Sequence, residues 1–271
     1  MRFIYLQFSH CCYSFRSVFS RFQESCKKFP FLNMGNKQVK QHFETAQKTG
    51  VLKISQMRLN EFPSALKAFP NVLKTLDLSE NRFAELPDDL GKFTLLKHLN
   101  VAGNRLISIP EIIGVLVKLE TLNAMNNLIV RLPPELGQCK NLKQINLSNN
   151  QINEFPTMVC GLKQLDLLDL SRNKITLIPP EVSSLQVTEL NVNQNQISEV
   201  SENIALCPKL KTFRIEENCL QATAALSKIL KDSQICNLSV DGNLFSSKAF
   251  AELDGHDAYM ERYTAARKKI F

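Results

Sequence analysis

Apolar residues recur along the chain in a pattern that repeats about every 23 residues. Each copy has apolar residues at its first, fourth and sixth positions and Asn at its ninth. The first clear copy consists of Leu73, Leu76, Leu78 and Asn81. Seven further copies end in Asn104, Asn127, Asn150, Asn173, Asn195, Asn218 and Asn243. A degenerate copy precedes them from about Thr49, and it has Met57 in the Asn position.

This pattern predicts one short strand per copy. Apolar and polar residues alternate around the fourth to sixth positions, which is the period of a strand. Because so short a strand cannot bury its apolar face alone, successive copies must stack into a solenoid. The Asn side chain can bond backbone groups where the chain leaves the strand. We therefore interpret the eight Asn residues as a structural ladder and the fold as α/β.

In six copies the second half contains a proline after an apolar residue. The prolines are Pro63, Pro87, Pro110, Pro133, Pro156 and Pro179. Together, the two halves over residues 49–245 resemble the cytoplasmic, 23-residue class of the leucine-rich repeat family. The resemblance implies a horseshoe with a parallel sheet on its concave face and an irregular or 3-10 helical convex side.

The segments that flank the repeats are predicted to cap both ends of the core, as a solenoid requires. Residues 34–48 form the predicted N-terminal capping helix, with Val39, Phe43 and Ala46 on its apolar face. Residues 246–271 form the predicted C-terminal helical cap, with a helix from Asp257 to about Lys269. Its residues expected to pack on the last repeat are Tyr259, Met260 and Tyr263.

Residues 1–33 differ from the rest of the chain. They hold five basic residues and one acidic residue, and nine of the 21 aromatic residues of the protein. We expect this segment to be a disordered extension. It can be interpreted as a mitochondrial transit peptide or as a segment that precedes a normal translation start at Met34. The remaining residues carry a net charge of only +3, which argues against binding of nucleic acid by the repeats.

Gly35 is a candidate lipidation site. Met34 and Gly35 match the start of an N-myristoylation motif, although Val39 stands where Ser or Thr is preferred. Residues 34–271 also resemble one member of the leucine-rich repeat family in segments that the generic repeat does not explain. These segments include 44–50, 91–97, 193–198, 232–236 and 259–264. The resemblance implies an intracellular, lipid-anchored chain that begins at the Met-Gly pair and has no enzyme activity.

The polar residues between the apolar strand positions are predicted to line the concave face. Their central row is Asp77, Asn100, Asn123, Asn146, Asp169, Asn191, Arg214 and Ser239. An amide-rich row suits hydrogen bonding to a folded protein or an extended peptide. Because the row has no aromatic residue, it offers no obvious binding hot spot.

Other chemistry is sparse. The sequence has no phosphate-binding glycine loop, nucleophile elbow or zinc-protease motif, and none of its eight Cys forms a C-x-x-C pair. We expect no catalytic residue, metal, cofactor, small-molecule substrate or nucleic-acid partner. The predicted caps 36–48 and 246–271 contain no Cys, which favours a reducing, cytoplasmic compartment.

The predicted function is a non-enzymatic intracellular scaffold that binds protein partners and takes part in signalling. Acylation of Gly35 would add a membrane surface as a second partner. The alternative is a regulatory or adaptor subunit of an enzyme complex, such as a phosphatase or a ubiquitin ligase.

Overall fold

A computed structural model describes residues 42, 45–63, 66 and 71–268 of the chain. The predictions made for residues 1–33, Gly35, Val39 and Phe43 lie outside the described residues.

Nine strands in the described part of the chain form one parallel sheet. They are β1 (Val51–Lys53), β2 (Thr75–Asp77), β3 (His98–Asn100), β4 (Thr121–Asn123), β5 (Gln144–Asn146), β6 (Leu167–Asp169), β8 (Glu189–Asn191), β10 (Thr212–Arg214) and β11 (Asn237–Ser239). Two further strands, β7 (Leu177–Ile178) and β9 (Glu199–Val200), pair with each other beside it. The predicted solenoid with one strand per copy is confirmed, and the degenerate first copy supplies β1.

The strands pair in register, so that equivalent residues of successive copies stand side by side. Leu76 lies opposite Leu99, and Leu99 lies opposite Leu122. These side chains are almost completely buried, as the sixth-position residues Leu78 and Val101 are. Full burial of one such side chain stabilises the fold by roughly 1.5–3 kcal/mol. Repeated along nine strands, this packing produces one continuous core.

The convex side consists mostly of short 3-10 helices, as expected. They span Asp88–Lys92, Glu111–Val115, Pro134–Gln138, Thr157–Gly161, Pro180–Ser184 and Glu202–Leu206. Five of the six begin directly after one of these prolines, whose φ of −70° to −81° suits entry into the first turn. In the first of these helices, the Leu90 N–H donates to Pro87 O at 3.0 Å.

One repeat departs from this convex structure. It forms an α-helix, α1 (Ala224–Asp232), with Leu226, Ile229 and Leu230 buried at helical spacing. The next strand lies 25 residues after its predecessor rather than 23, and no proline interrupts the segment. The extra length therefore allows two full turns of α-helix where the shorter repeats have room for one tight turn.

Left-handed backbone conformations precede every position of the Asn column. The residues with positive φ there are Gln56, Glu80, Gly103, Asn126, Asn149, Arg172, Gln194, Glu217 and Gly242. A non-glycine residue in this conformation costs roughly 1–2 kcal/mol. The cost recurs in most copies because the chain must turn sharply out of the strand before it can bury the following Asn.

Both described ends of the sheet lie next to helical segments. Residues 45–49 are helical before β1, and Ala46 is fully buried. After β11 come α2 (Ser247–Ala251) and α3 (His256–Lys268), so the last helix begins one residue before the predicted Asp257. Tyr259 is buried as expected. Tyr263 is half-buried and Met260 is 39% exposed, and both lie beside β11.

Candidate protein-binding surface

The eight residues of the predicted concave row stand side by side in the sheet. Each is the third residue of its strand, from Asp77 in β2 to Ser239 in β11. The pairing places Asp77 beside Asn100, and Asn100 beside Asn123. Seven of the eight side chains are half-buried, and Arg214 is exposed.

The row is less free to bind a partner than its polarity indicates. In six of its members a side-chain oxygen accepts the backbone N–H two residues further along the chain. The Asp169 carboxylate, for example, accepts the Ser171 N–H at 2.9 Å and the Ser171 hydroxyl at 2.7 Å. Such Asx turns guide the chain out of the strand. The row therefore has a structural role that its sequence pattern alone does not reveal.

Amide donors remain available in the middle of the row. Asn100 Nδ2 donates to Asp77 Oδ1 at 3.1 Å. The Nδ2 groups of Asn123 and Asn191 donate to no group among the described residues. Since these two groups are half-buried on the concave face, they are the donors of the row best placed to meet the backbone carbonyls of a peptide.

Charged residues at the rim of the row pair across repeats. Glu120 accepts hydrogen bonds from Lys143 and Lys97, each at 2.7 Å, and so connects three successive copies. These hydrogen bonds lower the pKa of Glu120 from 4.5 to about 2, and the bond from Lys143 contributes most. Arg214, a member of the row, pairs with Glu189 at 3.0 Å. Each of these two carboxylates is thus bound by basic side chains of neighbouring copies.

The Asn ladder lies directly behind the row. Asn150 Nδ2 donates to the carbonyls of Ala124, Leu147 and Ser148, and its Oδ1 accepts the Ile129 N–H at 3.0 Å. The same arrangement recurs at the other ladder positions. Asn81 also serves the first copy, because its Oδ1 accepts the N–H of Met57, which replaces Asn there. Each ladder residue thereby binds two adjacent copies together.

Comparison with known families decides what these copies are. A leucine-rich repeat family model matches residues 117–175, and a second leucine-rich repeat model matches residues 72–93. Both ranges lie within the described solenoid. The copies within these two ranges are leucine-rich repeats, and the remaining copies share their spacing.

Solved structures of leucine-rich repeat proteins share the fold. An LRR protein of Leptospira interrogans is 24% identical, with a TM-score of 0.60 over 78% of this chain and 61% of that one. Internalin C2 of Listeria monocytogenes is 21% identical, with a TM-score of 0.58 over 70% of this chain and 80% of that one. A chain of the PEPR1–AtPEP1 crystal structure is 22% identical, with a TM-score of 0.58 over 74% of this chain and 32% of that one.

At these identities the likeness shows the fold alone. The chain also spans less than two thirds of the Leptospira protein, the first of these relatives. Solenoid repeat folds of this kind typically present an extended concave surface for binding.

Three cysteines are part of the leucine-rich repeat core. Cys139 and Cys207 donate S–H bonds to Ile113 O at 3.2 Å and Val182 O at 3.1 Å. Burial raises the pKa of Cys139 and Cys160 from 9.0 to about 11, and that of Cys207 to about 12. These thiols therefore remain protonated and unreactive at neutral pH.

Sequence reasoning missed an aromatic groove at the C-terminal end of the leucine-rich repeat sheet. We define the aromatic groove by Phe245, Phe250, Tyr259 and Tyr263 together with the carboxylates of Glu216 and Asp241. Its volume is about 490 Å³. The aromatic residues outside the repeat were the available signal, but the groove exists only because α3 returns alongside β11.

The part of the chain that the structure describes offers little for other chemistry. No group of three or more His, Cys, Asp or Glu side chains in it is arranged to hold a metal ion. No helix among the described residues has the length and apolar character needed to cross a membrane.

Proposed function

We propose that this leucine-rich repeat protein is a non-enzymatic intracellular scaffold that recognises protein partners through its concave face. The observation that carries the proposal is the concave row, in which half-buried amides stand in register along the sheet. The Nδ2 donors of Asn123 and Asn191 have no partner among the described residues, while the oxygen atoms of the same side chains stabilise the strand exits. A curved surface with regularly spaced donors suits an extended segment or one face of a folded protein.

A tether at the N-terminus is a second part of the proposal. Residues 34–271 resemble leucine-rich repeat-containing protein 57, and by that resemblance Gly35 is the acylated residue. One myristoyl chain binds membranes only marginally and reversibly, so nearby Lys37, Lys40 and Lys48 would add attraction to acidic lipids. The tether would place the concave face at a membrane surface and supports a role in signalling.

The intact N-terminal peptide of the protein from its own cells tests the tether. Mass spectrometry should find a myristoylated Gly35 after removal of Met34. A peptide that begins at Met1 would contradict the tether in that form of the protein, because an internal glycine cannot be N-acylated. It would leave the concave face unaffected, so the two parts of the proposal can fail separately.

A matched pair of variants tests the concave face. Gln144 is exposed on β5 of that face, whereas Gln138 is exposed on the convex 3-10 helix of the preceding repeat. Proteins recovered with the wild-type chain from a lysate are quantified by mass spectrometry and compared with those recovered by Gln144→Arg and Gln138→Arg. We expect one group of proteins to be lost with Gln144→Arg and retained with Gln138→Arg. Equal recovery with both variants would overturn the proposal.

The same recovery experiment separates the scaffold from the alternative of a regulatory subunit. A catalytic phosphatase or ligase subunit recovered in a constant one-to-one ratio would favour the alternative. Partners recovered in variable, substoichiometric amounts favour the scaffold.

A further inference from the structure

The aromatic groove lies at the end of the concave face but differs from it in chemistry. The concave row contains no aromatic residue, whereas the groove is lined by four rings between β11 and α3. Ser239 belongs to both the row and the lining of the groove. A partner that crosses the concave face therefore reaches the groove without leaving the surface.

The rings of the groove form a continuous series. The centroids of Phe245 and Phe250 lie 6.0 Å apart with nearly parallel planes, and those of Phe250 and Tyr259 lie 6.5 Å apart. Tyr263 follows at 6.1 Å from Tyr259. The faces of such rings attract cations. Tyr263 already holds one, because the Arg267 guanidinium carbon lies 5.1 Å from its ring centroid.

The acidic residues beside these rings lack positive partners. Glu216 is half-buried and Asp241 is exposed, and both line the groove. Glu217 follows Glu216 directly. None of the three forms an ion pair with a Lys or Arg among the residues that the structure describes. Among the described residues, the carboxylates of Glu216 and Glu217 accept hydrogen bonds only from the neutral side-chain amides of Asn193 and Gln194. These three carboxylates thus lack the direct ion pairs that Glu120 makes.

The backbone edge of β11 is closed to an added strand. The Tyr259 hydroxyl accepts the Leu238 N–H at 3.1 Å and donates to Leu238 O at 3.4 Å. Burial raises the pKa of Tyr259, so this hydroxyl keeps its proton and remains a donor. With the central edge groups of the strand already bonded, a partner enters the groove with a side chain rather than with its backbone.

We propose that the aromatic groove binds an arginine side chain of a protein partner. The planar guanidinium stacks on the rings and donates N–H bonds to the carboxylates of Glu216 and Asp241. Lysine fits less well, because its compact and strongly hydrated ammonium does not stack. The proposal rests on the proposed function in one respect, because the arginine belongs to a protein partner. The groove would give that partner the anchor that the concave row lacks.

A titration that is monitored by nuclear magnetic resonance tests the groove directly. The ¹⁵N-labelled full chain is titrated with the probe acetyl-Gly-Arg-Gly-amide and, separately, with the same peptide carrying citrulline, which has the shape of arginine without its charge. We expect the arginine peptide to shift the backbone amide signals of Asp241, Gly242 and Tyr263. The citrulline peptide should bind at least about tenfold more weakly, because it has no positive charge to attract the carboxylates and the ring faces. A tenfold loss of affinity corresponds to about 1.4 kcal/mol.

Variants identify the groups responsible. Glu216→Gln combined with Asp241→Asn removes both charges, and the glutamine keeps an oxygen that accepts the Asn193 amide. This double variant should lose the response to the arginine peptide. The control is Glu85→Gln, an exposed acid at the other end of the solenoid, which should leave the response unchanged. Equal unfolding midpoints of the three proteins would show that each is folded.

Four outcomes would overturn the groove assignment. They are no response to the arginine peptide, equal binding of the arginine and citrulline peptides, an unchanged response in the double variant, and groove signals that depend on protein concentration alone. The last outcome would mean that a second copy of the chain occupies the groove. If the arginine peptide fails while Gln144→Arg still loses partners, only the groove assignment is wrong. If the peptide binds while Gln144→Arg loses nothing, only the concave-face proposal is wrong.

Discussion

Individual residues in this chain differ in importance according to how many backbone groups they satisfy. Asn150 and Asn123 are both asparagines of the same region, yet the first lies behind the sheet and the second on its concave face. Asn150 serves four backbone groups in two repeats, whereas Asn123 accepts one N–H, from Met125 at 3.3 Å. Since a buried polar group without a partner costs free energy, the two positions should respond differently to the same substitution.

Asn150→Ala should lower the free energy of unfolding by about 2–4 kcal/mol, because it orphans several buried backbone groups. Asn123→Ala should lower it by less than about 1 kcal/mol. Urea unfolding followed by circular dichroism measures both values. Equal losses in the two variants would show that the ladder contributes no more than the concave row.

The buried thiols predict a dependence of stability on alkaline pH. Cys139, Cys160 and Cys207 have a pKa of about 11 to 12 when folded against 9.0 when exposed. Because the folded pKa is raised, their stabilising contribution is complete below pH 9 and is lost as the pH rises through 11 to 12. The unfolding free energy, measured from pH 8 to 11.5, should therefore fall above pH 9.

Cys207→Ala supplies the control for this pH dependence. Other groups also titrate above pH 9, so the difference between the variant and the wild type isolates the thiol. We expect the variant to lose less stability over the same range. Iodoacetamide at pH 8 gives a second check, because it should label the exposed Cys219 in the folded protein and leave Cys207 unlabelled.

At the scale of elements, helix α3 completes the last strand of the sheet. β11 has a neighbour on one side only, and its free edge would otherwise expose unpaired backbone groups. The Tyr259 hydroxyl bonds two of them at Leu238, and Arg262 bonds the backbone of Ile235 at 3.1 Å. The side chains of α3 therefore perform the bonding that a further repeat would otherwise supply.

Tyr259→Phe should lower the free energy of unfolding by about 1–2 kcal/mol, because the Leu238 N–H loses its partner. Tyr263→Phe is the matched control, since the Tyr263 hydroxyl makes no hydrogen bond with the described residues. Its effect should stay within about 0.5 kcal/mol. Thermal unfolding of the two variants gives the comparison, and a larger loss in Tyr263→Phe would contradict this account of β11.

At the scale of the whole molecule, stability depends on an uninterrupted stack with covered ends. Each repeat contacts mainly its neighbours, so the terminal surfaces of the core are exposed unless another segment packs on them. The C-terminal surface includes the half-buried Leu238 and Phe250, which lie against α3. Loss of α3 should therefore affect the association state of the protein as well as its stability.

A chain that ends after Asp254 should form species heavier than those of the full chain and unfold at a lower temperature. A chain that ends after Lys268 retains α3 and is the control. Size-exclusion chromatography with light scattering measures the mass of each species. Identical masses and unfolding midpoints for the two truncated chains would show that α3 is dispensable as a cover for the repeats.

The sequence alone determined the solenoid of this repeat protein and the positions of its strands. It did so because each repeat folds mainly against its neighbours, so that a local pattern such as Leu76, Leu78 and Asn81 carries nearly all the necessary information. The tertiary structure decided which polar groups are free. The Asx bonds of Asp169 and the joining of α3 to β11 arise from turns and long-range packing that the apolar period does not encode. For the same reason the aromatic groove appears only when the chain is folded.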